Sequence, residues 1–532
     1  MPTTRRTFLR TATLASAALA APSLLTGKSR ARVVRPGDFM MIDLPGISVS
    51  ADEAAFIREH GVRGVCVFAR NIQSEAQLRG LSESLRALIG PDALVAIDQE
   101  GGGVWRTRFL PFAPSAMALG AANDPALARR VGYATARGLR SMGINWDFAP
   151  VLDVNNNPRN PVISDRSFAG NAEQVSRLAI PWMQGAVEAG IAPCVKHFPG
   201  HGDTAVDSHY GLPTVDKPRA VLDTLELAPF RDALAAGAPA VMTTHILFPA
   251  LDREHPATLS RPILTGLLRD EFRYDGVIVT DSMGMQGITD HYGRGQAGEL
   301  ALRAGADMLC ALGNMDARNQ TVEGVERLLR DGAMATELNR KRARLTALSD
   351  RFPVRAQPYD AAARADDAAT MAEGWTKGLT AWNTPQPIRA GSPLTLVVAQ
   401  GAIGGGASDP GMQGLAIIER LAPHYDLRVV TYDPQTDPNA TALPFFQQVH
   451  RPGTPVVFAS TSRQRPAEAI RSFAAALNPT LHLALWNPFT VLDVNAPALV
   501  SFGYRPEALD AVVRWMKGEV QATGRFPVDV AA

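Results

Sequence analysis

Cysteine is scarce: 532 residues hold three, Cys66, Cys194 and Cys310. Each sits in an apolar, strand-like run (GVCVF, APCVKHF and DMLCALG). That spacing excludes a disulfide framework and a metal knuckle, and it points to buried free thiols with at most one bridge. An excess of charge is also missing, since 53 Lys and Arg face 52 Asp and Glu for a net +1. Without a basic cluster on one face, nucleic-acid binding lacks its electrostatic footprint. Beyond the N-terminus no segment is long and apolar enough to span a membrane. No short tandem repeat or low-complexity tract is present either. The remaining composition, 46 % hydrophobic and 20 % charged, is globular, and the length suggests two domains.

The first 30 residues read as a targeting segment. TTRRTFLR precedes the apolar stretch TATLASAALAAPSLL. Arg5 and Arg6, with Phe8 and Leu9, resemble a twin-arginine export signal. Ala18-Leu19-Ala20 offers a small-residue cleavage site, and no Cys follows that would take a lipid. The expectation is export to the periplasm or beyond. The competing reading is a chance Arg-Arg before an Ala-rich helix.

From residue 37 to 350 short β-rich apolar runs alternate with helical stretches. The runs are FMMIDL, VRGVCVFA, ALVAIDQ, INWDFAPVLDV, APCVKHF, AVMTTHI, GVIVTD and ADMLCALG. Eight such units in series predict a (β/α)8 TIM barrel, with an open doubly wound sheet as the alternative. Many runs end in a polar or charged residue: Asp43, Arg70, Asp98, Asp153, Lys196-His197, His245 and Asp281. In a barrel those ends converge on one face. Residues 351–390 are Pro-rich and polar around an Ala-rich helical piece, and read as a linker. From 391 to 532 the alternation resumes (LTLVVAQ, LRVVTYD, PVVFAST, LHLALWN, ALVSFGY). This predicts a smaller α/β domain with a mostly parallel sheet.

The densest chemistry lies in KHFPGHGDTAVDSHYGLP, residues 196–213. Asp207 and His209 are two apart, so in a tight turn the carboxylate reaches the imidazole, fixes its tautomer and supports its charged form. Such a pair suits general acid/base work, because an imidazole can give and take a proton around neutrality. Two other readings stay open: a structural His–Asp bond in a surface loop, and a metal site through His197 and His201. Four-residue spacing faces two His toward one metal only on a helix, and FPG between them is not helical. Asp281, after the apolar strand GVIVT, would point into the catalytic face, where a carboxylate can attack an anomeric carbon. Otherwise it caps the next helix. Asp98 and Arg106 in IDQEGGGVWRTR, and Arg166 in SDRSF, are candidate sugar contacts; singly, each serves equally as a structural ion pair.

Taken together, DQEGGGVWR, NWDFAPVLDV, ISDRSF, KHFPGHGDTAVDSH and VIVTDSMGM resemble glycoside hydrolase family 3, in its β-N-acetylglucosaminidase branch. WNPFTVLD and ALVSFGY with GRFPVDV resemble, more weakly, the family's C-terminal domain. The resemblance implies that Asp281 is the nucleophile, His209 the acid/base and Asp207 its partner. It implies that Asp98, Arg106, Arg166, Lys196 and His197 bind the terminal sugar. No metal or organic cofactor is implied, and the implied partner is a GlcNAc-containing oligosaccharide such as a muropeptide or a chitin oligomer. The resemblance leaves hydrolysis and phosphorolysis both open. A β-glucosidase or β-xylosidase of the same family is the nearest alternative, although those branches take their acid from the second domain. A wall-binding protein with a decayed site is the non-enzymatic one. Gly103 departs from the pattern, since many relatives carry Arg there.

Overall fold

The computed structural model describes residues 33–204, 207–401, 408 and 411–530. The proposed export signal and its Ala18-Leu19-Ala20 site lie outside them. Residues Arg35–Ala532 form one compact unit.

The eight apolar runs become the eight parallel strands of a closed barrel. They are β1 (Met40–Asp43), β2 (Gly64–Val67), β3 (Leu94–Ile97), β4 (Trp146–Asp147), β5 (Ala192–Phe198), β6 (Ala240–Thr243), β7 (Val277–Ser282) and β8 (Met308–Cys310). Strands flanked by helices are buried on both faces, which is why GVCV and LVAI read as unbroken apolar runs rather than alternating ones. β1 pairs with both β2 and β8, so the sheet closes and the open alternative falls. The helices between strands carry their own punctuation. Ser50 caps Ala51–His60 in a reciprocal box with Glu53, and Gly61 ends it at φ 72°.

The stretch read as a linker is structured. It holds the helix Ala361–Gly378 and the strand β9 (Thr380–Trp382). β9 joins β10 (Pro393–Ala399), β11 (Asp426–Tyr432), β12 (Val456–Ser460), β13 (Leu481–Ala484) and β14 (Ala498–Val500) in a second sheet. The spatial order is β11-β10-β12-β13-β14-β9. All neighbours are parallel except β9, which runs antiparallel to β14. TAW is too short to register as a strand by pattern, and only pairing with β14 defines it.

The two sheets share a core. Met117, Ala118 and Ala121, from the segment between β3 and β4, pack in the same apolar cluster as Trp375, Trp486 and Phe502. Polar ties reinforce the contact: Arg505 Nε donates to the Gly102 carbonyl at 2.6 Å and Ser115 Oγ to the Phe502 carbonyl at 2.7 Å. The second domain therefore braces the loop that follows β3. All three cysteines are buried and free, and burial pushes their thiols up. No helix among the described residues is long and apolar enough to cross a membrane.

Candidate active site

The strand ends converge on a cavity of about 630 Å³. Asp98, Arg106, Arg166, Lys196, His197, His209 and Asp281 all open into it. Asp207 stands behind His209. A larger groove of about 1210 Å³ lies at the opposite, N-terminal ends of β6 and β7, and none of these residues reaches it.

One wall is a chain of buried charges. Lys196 Nζ lies 2.6 Å from both Asp98 Oδ1 and Glu100 Oε1. Glu100 also accepts two bonds from Arg166, at 2.7 and 2.8 Å. Burial works against the Glu100 anion, but the charges of Arg166 and Lys196 outweigh it and hold its carboxyl well below the usual range. The same pairing keeps Lys196 protonated despite burial. Arg166 Nη2 continues to His197 Nε2 at 3.2 Å, and His197 Nδ1 donates to Asp153 Oδ2 at 2.6 Å. Each cation is thus fixed in place, and the wall presents a rigid set of donors and acceptors of the kind that orients sugar hydroxyls.

Across the cavity Asp281 ends the inward course of β7. Burial raises its pKa, but the neighbouring imidazoles of His245, His197 and His209 and the Ser282 N–H, 2.7 Å from Oδ1, bring it down to about 2. It is an anion at neutral pH.

His209 rides on the loop after β5. Its Nδ1 donates to Asp207 Oδ1 at 2.6 Å, and its backbone N–H donates to the same oxygen at 2.9 Å. This is the two-residue turn expected from the spacing. Burial would raise Asp207, but the bonds from His209 and its charge prevail and the carboxyl is lowered. With Nδ1 committed, Nε2 is the atom free to exchange a proton with a bound molecule. The loop itself depends on close backbone approach: a Cβ on Gly202 would sit 1.7 Å from the Val154 carbonyl oxygen.

The metal alternative finds no support in the bonding. His197 is held by Asp153 and Arg166, while His201 Nδ1 and Nε2 each lie 2.9 Å from a hydroxyl, Thr204 and Ser208. Among the described residues no three His, Cys, Asp or Glu side chains group as a metal site.

Residues 35–348 match the family described as Glycosyl hydrolase family 3 N terminal domain. The chain belongs to this family. It is 38 % identical over 308 residues to Beta-hexosaminidase A of Pseudoalteromonas piscicida, covering 53 % of this chain and 51 % of the relative. It is also 38 % identical over 278 residues to the Beta-hexosaminidase of Alkalilimnicola ehrlichii, covering 51 % of this chain and 79 % of the relative. The chain thus spans about half the length of the first relative and about four-fifths of the second. The second domain has its counterpart among solved structures. A glycoside hydrolase family 3 beta-N-acetylglucosaminidase from Paenibacillus sp. superposes with a TM-score of 0.84 at 32 % identity, over 93 % of this chain and 98 % of that one. A beta-glucoside phosphorylase, BglX, shares the fold at a TM-score of 0.77 and 19 % identity.

Several residues of the site carried no role in the sequence reading. Glu100, inside the DQEGGGVWR motif, is the hub of the charged wall, and Asp153 anchors His197. The second domain contributes at and behind this wall: Ser408 lines the cavity, and the buried Trp486 packs against the loop after β3, its Cζ2 lying 3.1 Å from where a Cβ on Gly103 would stand. Nothing in the local sequence pairs Trp486 with a glycine more than 380 positions earlier.

Proposed function

We propose that this protein is an exported, retaining exo-β-N-acetylglucosaminidase that releases terminal GlcNAc from peptidoglycan fragments or chitooligosaccharides. The observation that carries the reading is the placement of an anionic Asp281 and the His209–Asp207 pair around one cavity whose opposite wall is the Asp98–Lys196–Glu100–Arg166 array. The hexosaminidase names of the relatives and of the Paenibacillus structure favour an N-acetylated sugar. The arginine pair in the leading segment supports export.

The terminal sugar sits against Asp98, Arg106, Arg166, Lys196 and His197. Asp281 attacks the anomeric carbon and the bond to the leaving oxygen breaks, while His209 Nε2 delivers a proton to that oxygen. Asp207 orients the ring and stabilises the imidazolium that donates in this step and re-forms in the next. Deprotonated at Nε2, His209 then draws a proton from water, which attacks the glycosyl–Asp281 ester and restores the carboxylate. A neutral imidazole differs from the more usual carboxylate base in not repelling an anionic acceptor, so phosphate in place of water is the second reading.

The test is release of nitrophenol from the aryl β-N-acetylglucosaminide and the aryl β-glucoside, each with and without phosphate. Preference for the N-acetyl sugar with free GlcNAc as product supports the proposal. A sugar phosphate product moves it to phosphorolysis, and preference for the plain glucoside overturns it.

A further inference from the structure

Most cations that open into the cavity are committed to acids. Arg166 pairs with Glu100, Lys196 with Asp98 and Glu100, and Arg70 with Asp43. Arg294 differs. It lines the cavity, and its one hydrogen-bond partner among the described residues is the Leu312 carbonyl, which accepts from Nη1 at 3.0 Å, while Asp43 acts on it only through space. Asp43, the acid at the end of β1 on this side, is already shared by Arg70 and Arg318.

The surroundings keep this guanidinium accessible. A Cβ on Gly284 would stand 3.2 Å from Arg294 Nη2, and one on Gly313 would stand 3.8 Å from it. Both positions lack side chains, so the corner stays open to the cavity. Arg294 is also the first residue of the helix Arg294–Ala304, whose first turn holds no acidic residue. A cation there opposes the helix dipole. A side chain placed against local preference, with donors facing a cavity, is the pattern of a binding residue rather than a structural one.

Topology gives the ligand its place. Arg294 follows β7, Leu312 and Gly313 follow β8, and Asp43 and Arg70 lie at the ends of β1 and β2. This half of the barrel mouth faces the half built from β3, β4 and β5, which carries Asp98, Arg166, Lys196 and His197. We propose that Arg294 forms an anion-binding subsite that takes a carboxylate on the part of the substrate beyond the terminal sugar. This rests on the glycosidase reading above. The guanidinium fork matches a carboxylate with two parallel hydrogen bonds, and free phosphate shares that chemistry.

The experiment compares 4-nitrophenyl β-N-acetylglucosaminide with its 3-carboxy-4-nitrophenyl counterpart at fixed ionic strength, using the full chain, Arg294→Gln and Arg294→Lys. The ratio of kcat/KM for the carboxylated over the neutral substrate is expected to fall about tenfold or more in Arg294→Gln, mainly through KM, because a charge-assisted bond is lost. Arg294→Lys keeps the charge without the fork and is expected to retain part of the ratio. An unchanged ratio in Arg294→Gln overturns the proposal, as does an equal loss on both substrates. An effect of added phosphate that vanishes in Arg294→Gln while the ratio stays unchanged also overturns it, assigning the site to phosphate. Absence of turnover of both substrates by the unaltered protein is separate: it sinks the glycosidase reading, and this inference with it.

Discussion

His201 Nε2 lies 2.9 Å from Ser208 Oγ, and this bond fastens the loop that carries His209 to the buried end of β5. Ser208 stands between Asp207 and His209, and its carbonyl accepts from the Gly287 N–H at 3.3 Å. The loop that carries His209 is therefore held from both sides: by His201 from within the β5 loop, and by the segment that follows Asp281. Ser208→Ala is expected to leave a buried ring nitrogen unpaired at a cost of about 1–3 kcal/mol, and to lower kcat more than it raises KM. Urea unfolding with steady-state kinetics reads both. An unchanged kcat would mean that the loop is held without this bond.

The same histidine gives a pH signature. Burial brings His201 down to about 4 from an ordinary 6.5. The unfolded chain takes up a proton below the ordinary value while the folded chain refuses it, so stability is lost as pH falls from about 6.5 towards about 4. His201→Gln is expected to be less stable at pH 7 and to show a shallower decline across that window. Denaturant midpoints at pH 7, 6 and 5 measure the slope, and parallel declines in the two proteins would contradict the assignment.

Asp281 and His209 separate by leaving group. Asp281→Ala is expected to abolish turnover of every substrate, because no covalent intermediate can form. His209→Ala is expected to lose about 10²–10⁴-fold on a glycoside with a poor leaving group, and far less on an activated aryl glycoside that needs little protonation. Equal losses on the two would remove His209 from the role of acid. Since Asp281 stays ionised down to about pH 2, the acid limb of the rate profile above pH 4 is not its titration.

Glu100 is the shared anion of the charged wall. Glu100→Ala leaves Arg166 and Lys196 buried without their shared anion, and the expected loss is about 3–5 kcal/mol. Glu100→Gln keeps the shape and is expected to fold, with KM raised as Lys196 and Arg166 shift. The depressed carboxyl sets the pH sign: its contribution is present above its unfolded value and is lost as pH falls through the folded one. Thermal unfolding of both variants, with KM for the second, decides whether the wall acts as one unit.

How much of this was readable in advance follows from what each feature depends on. The eight strands were legible because a parallel strand buried on both faces writes itself as a short apolar run. The His209–Asp207 bond was legible because two-residue spacing closes a turn locally. β9 was not, since TAW becomes a strand only through its pairing with β14. The charged wall was half visible. Asp98, Arg166 and Lys196 stood out at strand ends and in motifs, but Glu100 is their common partner only in three dimensions. Trp486 and Ser408 were invisible for the same reason: both come from the second domain, Ser408 to the cavity and Trp486 to the backbone at Gly103.

Gly103 is where that long-range packing can be tested. A Cβ there would come within 3.1 Å of Trp486 Cζ2 and 3.5 Å of Ser408 Oγ, so even a methyl group requires the indole to give way. The neighbouring Gly102 and Gly103 carbonyls are held by Arg505, at 2.6 and 3.3 Å, so the backbone cannot easily retreat. In this chain the indole occupies the space into which a longer side chain at position 103 would start. Gly103→Arg is therefore expected to destabilise by about 1–3 kcal/mol through overpacking, to displace Trp486 and to raise KM by disturbing the rim near Arg166. Pairing it with Trp486→Ala makes room for the new side chain. The double variant is expected to lose less stability than the sum of the two single losses, a coupling that residues in contact show. A double variant whose loss equals the sum of the two single losses would mean that Trp486 does not contact residue 103, leaving the glycine without a reason in the packing.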